Sequence, residues 1–158
     1  MALSAAIYGC EGLSLTEAEK RFFAEVRPWG FIVFARNIES PEQVKRLVGE
    51  MKDAAGHDAP ILIDQEGGRV ARFREGFTIF PAMASLGAMG EEGPAVAEAV
   101  GRAIARELAA VGVNLDFAPV LDVNTNPQNP VIGDRALAHD PGCVAALGCA
   151  FIRGMQDE

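Results

Sequence analysis

Residues 61–73 read ILIDQEGGRVARF: three consecutive branched apolar side chains, then an acid, an amide, a second acid, two glycines and an arginine. With Pro60 in front, Ile61, Leu62 and Ile63 form the short continuous apolar run of a strand buried on both faces, as in a parallel sheet. The charges begin where this strand stops. Gly67 and Gly68 permit backbone angles closed to other residues, so the chain is expected to turn sharply there and leave room beside it. Asp64, Glu66, Arg69 and Arg72 then crowd one strand end. The carboxyl ends of buried parallel strands are where α/β proteins place their chemistry.

Outward from this stretch, strand-like apolar runs alternate with segments of helical period, the pattern of a parallel α/β fold. The first run is Ala5 to Gly9. Thr16 and Glu19 make a capping box for a helix that ends before Pro28. GFIVFAR, Gly30 to Arg36, is the expected second strand. Ser40, Pro41 and Gln43 supply an N-cap, an N1 proline and a capping-box partner for a helix whose apolar face is Val44, Leu47, Val48 and Met51.

A long excursion, Gln65 to Gly93, follows the third strand, and a connection of that length is usually functional. Its glycines Gly87, Gly90 and Gly93 do not form G-x-G-x-x-G after a strand, which excludes a dinucleotide site there. Beyond Pro94, the spacing of Val96, Val100, Ile104, Leu108 and Val111 marks a helix with one buried stripe, closed by Gly112. The fourth strand is expected over Asn114 to Ala118, with Pro119 confined to its end. A polar loop, NTNPQNPVIGDRALAHD, carries Asp134 and Arg135. Asp140 and Pro141 open a last helix with Val144, Leu147, Phe151, Ile152 and Met155 on its core face. Four strand-then-helix units are half the complement of a TIM (β/α)8 barrel. They also suffice for an open doubly wound sheet.

A chain of 158 residues, 49% apolar, has the material for one domain with a core. Its formal charge of −8 argues against nucleic acid or an anionic membrane surface as partner, since both require a basic face. The three cysteines, Cys10, Cys143 and Cys149, cannot all pair within one chain and show no C-x-x-C spacing, so reduced thiols are expected. The start, MALSAAIYGC, has no positive segment ahead of a long apolar stretch, and no run approaches the roughly 18 apolar residues of a membrane span. The expected location is the cytoplasm.

Asp64 should point its carboxylate over the sheet, with Arg72, eight residues on, able to bridge it or to grip a hydroxyl-rich ligand through its planar fork of donors. Glu66 and Arg69 are expected to pin the Gly-Gly turn. Asp116 and Asp122 flank the fourth strand, and carboxylates on neighbouring strand ends are the equipment of glycoside hydrolysis. His57 lies ahead of the third strand, at the rim opposite the loops, and His139 precedes a helix cap; both are expected at the surface rather than as general bases. No cluster of His, Cys or acids has metal-ligand spacing.

The strings ILIDQEGGRVARF, FAPVLDVN, NPVIGDRAL and EVRPWGFIVFARNIESPEQV closely resemble the N-terminal half of the bacterial β-N-acetylhexosaminidases of glycoside hydrolase family 3, over essentially the whole chain. The resemblance implies an α/β fold that is the N-terminal half, about four βα units, of a TIM (β/α)8 barrel. It implies removal of terminal non-reducing N-acetylglucosamine from β-linked peptidoglycan fragments during cell-wall recycling, with retention and without metal or organic cofactor. By motif position, Asp64, Arg72 and Arg135 would contact the hydroxyls of the sugar. The family's Lys-His pair, its acid/base histidine and its nucleophilic aspartate all lie further along than Glu158, so no catalytic residue is expected within this chain. Residues 1–158 are then expected to be a partial barrel domain, truncated before its catalytic half. Its open sheet edges invite self-association. The alternatives are a non-catalytic saccharide-binding half barrel and a family member with another sugar preference, such as a β-glucosidase.

Overall fold

The computed structural model describes residues 2–126 and 128–157; Met1, Pro127, which falls in the polar loop, and Glu158 lie outside the described residues. Two compact units divide the chain, each assembled from separate segments. One comprises Met1–Asp64, Arg72–Phe77 and Leu108–Asp116, the other Gln65–Ala71, Thr78–Glu107 and Phe117–Glu158.

The first unit is built on the apolar run that ends at Ile63. Strand β3, Ile61–Ile63, is fully buried. It pairs in parallel with β2, Pro28–Val33, on one side and with β4, Leu115–Asp116, on the other, while β1, Ser4–Tyr8, pairs in parallel with β2. The order β1-β2-β3-β4 is the order of the sequence. A doubly wound sheet reverses its strand order at a switch point, and this sheet does not. Consecutive order is that of neighbouring staves in a barrel wall.

Helix α1, Glu17–Val26, has the expected capping box: the Thr16 hydroxyl accepts from Glu19 N at 3.2 Å, and the Glu19 carboxylate accepts from Thr16 N at 2.8 Å. Burial alone would raise the Glu19 carboxyl, but donors from Thr16 and Glu11 outweigh it and hold the group below the usual carboxylate range. Helix α2, Pro41–Ala55, buries all four residues of the expected apolar face. Ser40 caps it as read, whereas Gln43 does not close a box on Ser40: its carbonyl accepts from Glu39 N, and its amide donates to Leu13 O and Asn37 O. Phe23 of α1 meets Phe31 of β2 edge-on, ring centroids 5.0 Å apart, which fastens helix to sheet.

Strand β1, expected over Ala5 to Gly9, lies one residue earlier at Ser4–Tyr8, and β2 and β4 differ from expectation by more. Strand β2 starts at Pro28 and stops at Val33, because the buried Asn37 side chain accepts from Phe34 N and closes a 3-10 turn, Ala35–Asn37. The same amide donates to Gly12 O at 2.8 Å and to Cys10 O at 3.2 Å. Burial pushes the Cys10 thiol in this knot up to about 11, so it packs as a small apolar group and is not a nucleophile at neutral pH. Strand β4 is shorter than Asn114 to Ala118. Asn114 N donates to Ile61 O, while its side-chain oxygen, in place of a backbone carbonyl, accepts from Ile61 N.

In the second unit the long excursion is not irregular throughout: helix α3, Ala84–Gly87, and a 3-10 turn, Gly90–Glu92, lead into α4, Gly93–Ala110. The buried positions of α4 are Gly93, Ala97, Gly101, Ile104 and Leu108; Val96 and Val100 are only half-buried. The stripe is displaced because α4 is met closely by helix α5, Pro141–Gln156, through glycines. A side chain at Gly101 would run into the Phe151 carbonyl, and one at Gly154 into the Glu98 carbonyl. Helix α5 opens as read, with the Asp140 carboxylate accepting from Cys143 N at 2.9 Å and Pro141 in the first turn. Val144, Leu147 and Phe151 are buried together with Gly148, Ala150 and Gly154, whereas Ile152 and Met155 are half-buried.

Candidate functional site

In the first unit, β3 delivers Asp64 from its carboxyl end. The Asp64 carboxylate accepts from Arg72 Nη2 at 2.8 Å, and each side chain keeps about a quarter of its surface, 25% and 29%. Arg72 lines a cleft of about 470 Å³ with Leu13, Ala35, Ile38, Glu39, Arg74 and Glu75. These residues follow the carboxyl ends of β1, β2 and β3. A carboxylate that accepts beside a guanidinium that donates suits a vicinal pair of hydroxyls. The bridge between Asp64 and Arg72 is as the sequence spacing foresaw.

In the second unit, three backbone hydrogen bonds close the Gly-Gly turn. Glu66 N donates to Val70 O at 2.9 Å, Val70 N to Gly67 O at 3.2 Å, and Gly68 N to Phe80 O at 2.9 Å. Both glycines have positive φ, +94° and +56°. A Cβ on Gly67 would sit 2.7 Å from Pro81 O, and one on Gly68 2.8 Å from Ala82 Cα. Glu66 and Arg69 therefore do not pin the turn, contrary to expectation. They reach the polar loop instead. Arg135 donates through Nη2 and Nε to the two Glu66 oxygens at 2.7 and 2.8 Å. Arg69 donates through Nη2 to the carbonyls of Pro130, Val131 and Ile132, and its Nε pairs with Asp134 at 3.2 Å.

The remaining polar residues take lesser places. Asp116, at the end of β4, is half-buried, and Asp122 is exposed. His57 Nε2 lies 2.8 Å from the carbonyl of Pro28, the first residue of β2, at the amino rim of the sheet as expected. His139 Nδ1 lies 2.7 Å from Asn124 O, beside the cap of α5. Cys143 and Cys149 are exposed free thiols. Among the described residues, no three His, Cys, Asp or Glu side chains are grouped so as to hold a metal ion, and no helix is long and apolar enough to cross a membrane. The link that the sequence did not disclose is Glu66 to Arg135. Its one signal was the pair of glycines, which can close a turn unaided and so release the flanking charges for longer reach.

A model of the glycosyl hydrolase family 3 N terminal domain matches residues 13–158. The chain is 47% identical over 146 residues to the beta-hexosaminidase of Methylococcus capsulatus, a match that covers 92% of this chain and 43% of that protein. Native NagZ from Neisseria gonorrhoeae superposes with a TM-score of 0.90 at 37% identity, over 98% of this chain and 46% of that one. The same enzyme in complex with N-trifluoroacetyl-D-glucosamine gives 0.91 at 37% identity, over 98% and 47%. The chain thus spans less than half the length of the relatives it matches.

Proposed function

Because the chain belongs to the glycosyl hydrolase family 3 N terminal domain family, we propose that it serves a retaining β-N-acetylhexosaminidase that releases terminal N-acetylglucosamine from β-linked cell-wall fragments. The Asp64–Arg72 pair carries this reading: an accessible acceptor and donor, 2.8 Å apart, beyond the carboxyl end of a buried parallel strand. In this proposal Asp64, Arg72 and Arg135 each contact sugar hydroxyls. The nucleophile and the acid/base come from residues outside 1–158, in a completed (β/α)8 barrel that works without metal or organic cofactor. The complex of NagZ with an N-acylated glucosamine supports the choice of sugar. The free thiols suit a reducing cytoplasm.

The test uses the intact polypeptide in which this chain occurs. It should hydrolyse 4-nitrophenyl N-acetyl-β-D-glucosaminide and release the β-anomer first, as followed by proton NMR, because two displacements at one carbon restore its configuration. No turnover would refute the hydrolase, and first release of the α-anomer would refute retention. Faster turnover of the β-glucoside would transfer the proposal to the other sugar.

We also propose that residues 1–158 self-associate when isolated. Strands β1 and β4 each have a neighbour on one side only within the sheet, and Ile7 of β1 is 44% exposed; apolar unpaired edges recruit further strands. Light scattering should give a concentration-dependent mass above 16.7 kDa, reduced by Ile7→Lys. A monomer at about 100 µM, far above ordinary dimer dissociation constants, would overturn the proposal.

A further inference from the structure

Glu66 is a charged residue that is almost wholly buried, 5% exposed. A buried carboxylate requires a partner, and this one receives both donors of the Arg135 fork, in the planar two-bond arrangement that fixes orientation as well as distance. Glu66 is itself held still. Its N–H is bonded to Val70 O, and it precedes Gly67, where Pro81 O and the Met83 methyl leave no space for a Cβ. Rigidity therefore passes from the turn, through a carboxylate, to a guanidinium on a different loop.

That connection is not what holds the loop. Arg69 already fastens it, with three consecutive carbonyls and Asp134 on one side chain. Arg135 Nη1 also donates to Val131 O at 3.1 Å, within that loop, so the two bonds to Glu66 do more than tie one loop to another. What they set is the plane of the Arg135 fork, on a side chain with many rotamers of its own. We propose that Glu66 is a positioning residue for Arg135, holding its guanidinium in the orientation in which it meets the sugar, while Arg69 fixes the loop that carries it. This inference rests on the reading of Arg135 as a sugar contact and assigns Glu66 a part in specificity.

The closing experiment is a double-mutant cycle in the intact polypeptide: wild type, Glu66→Gln, Arg135→Ala and the double variant, with kcat and KM for 4-nitrophenyl N-acetyl-β-D-glucosaminide and a thermal melt for each. Glutamine keeps the shape and one acceptor but loses the charge and the second acceptor, which releases the fork. Glu66→Gln should lower kcat/KM roughly 10- to 100-fold, the range for removal of a group that orients a functional side chain. If Glu66 acts through Arg135, the double variant should be no worse than Arg135→Ala alone. Additive losses in kcat/KM, or a Glu66→Gln variant with wild-type kcat/KM, would overturn the proposal. Should Glu66→Gln not fold, Glu66→Asp, which keeps the charge and draws it back by one methylene, takes its place in the cycle with the same criteria. A wild type without turnover refutes the hydrolase reading and this proposal together; an active wild type with an additive cycle refutes this proposal alone.

Discussion

Asp64→Ala in the intact polypeptide is expected to lower kcat/KM toward N-acetyl-β-D-glucosaminides by about a hundredfold or more. The substitution removes an acceptor from the sugar and also takes from Arg72 Nη2 its 2.8 Å bond to Asp64. Truncating one member of a buried, hydrogen-bonded charge pair costs about 2–5 kcal/mol. Because each side chain here keeps about a quarter of its surface, 25% and 29%, solvent screens part of that, and the lower half of the range applies. At about 1.4 kcal/mol per tenfold, this is roughly two orders of magnitude. Substrate analogues check the same contact from the other side. A buried site that hydrogen-bonds a hydroxyl can reject the analogue lacking it by about 10⁴-fold or more, so 4-deoxy or 6-deoxy sugars should be processed poorly by the wild type. Undiminished kcat/KM in Asp64→Ala would remove this residue from the site.

The second large effect is on stability, and it depends on the turn beyond Asp64. Gly67→Ala should lower the melting temperature by roughly 5–15 °C, given about 2–4 °C per kcal/mol for a protein of this size. An alanine at φ +94° leaves the backbone regions open to it, at about 1–3 kcal/mol. Its methyl would also lie 2.7 Å from Pro81 O and 2.8 Å from Met83 Cε. The methionine can swing aside, but the proline carbonyl belongs to the backbone and must move with it, at about 1–3 kcal/mol more. Gly49→Ala supplies the opposite sign. Gly49 lies inside α2 with nothing within 4 Å of the added carbon, so alanine there should stabilise by about 0.5–1 kcal/mol through helix propensity and a less disordered unfolded chain. Circular dichroism melts of the two variants would show whether the turn is as confined as its geometry states. Equal melting temperatures for both would contradict it.

The features that were legible in the sequence are those governed by neighbours along the chain. The apolar run at Ile61, the caps at Thr16, Ser40 and Asp140, and the eight-residue reach from Asp64 to Arg72 depend on local chemistry, and the structure bears them out. What was not legible came from contacts across the sequence. The buried stripe of α4 moved from Val96 and Val100 to Ala97 and Gly101 because the glycines of α5 bring its backbone close, and helical period alone gives no preference for a small residue over a large one. Strand β2 was misplaced at its end because Asn37, buried against Cys10 and Gly12, captures Phe34 N. The polar pairs show the same division: Asp64 and Arg72 share one loop, whereas Glu66 and Arg135 are 69 residues apart.

Consecutive strand order also bears on how freely the protein can vary. Strand β4 returns to β3 over a connection roughly twice as long as the one between β2 and β3, and doubling a loop adds only about 0.6 kcal/mol of closure entropy. Away from the confined Gly67–Gly68 turn, the passage between Ile63 and Leu115 can change in length while the sheet stays in register, since Asn114 and Ile61 fasten its far end by two hydrogen bonds of their own. Length is thus a cheap variable in this connection, and chemistry can be added there without rebuilding the sheet.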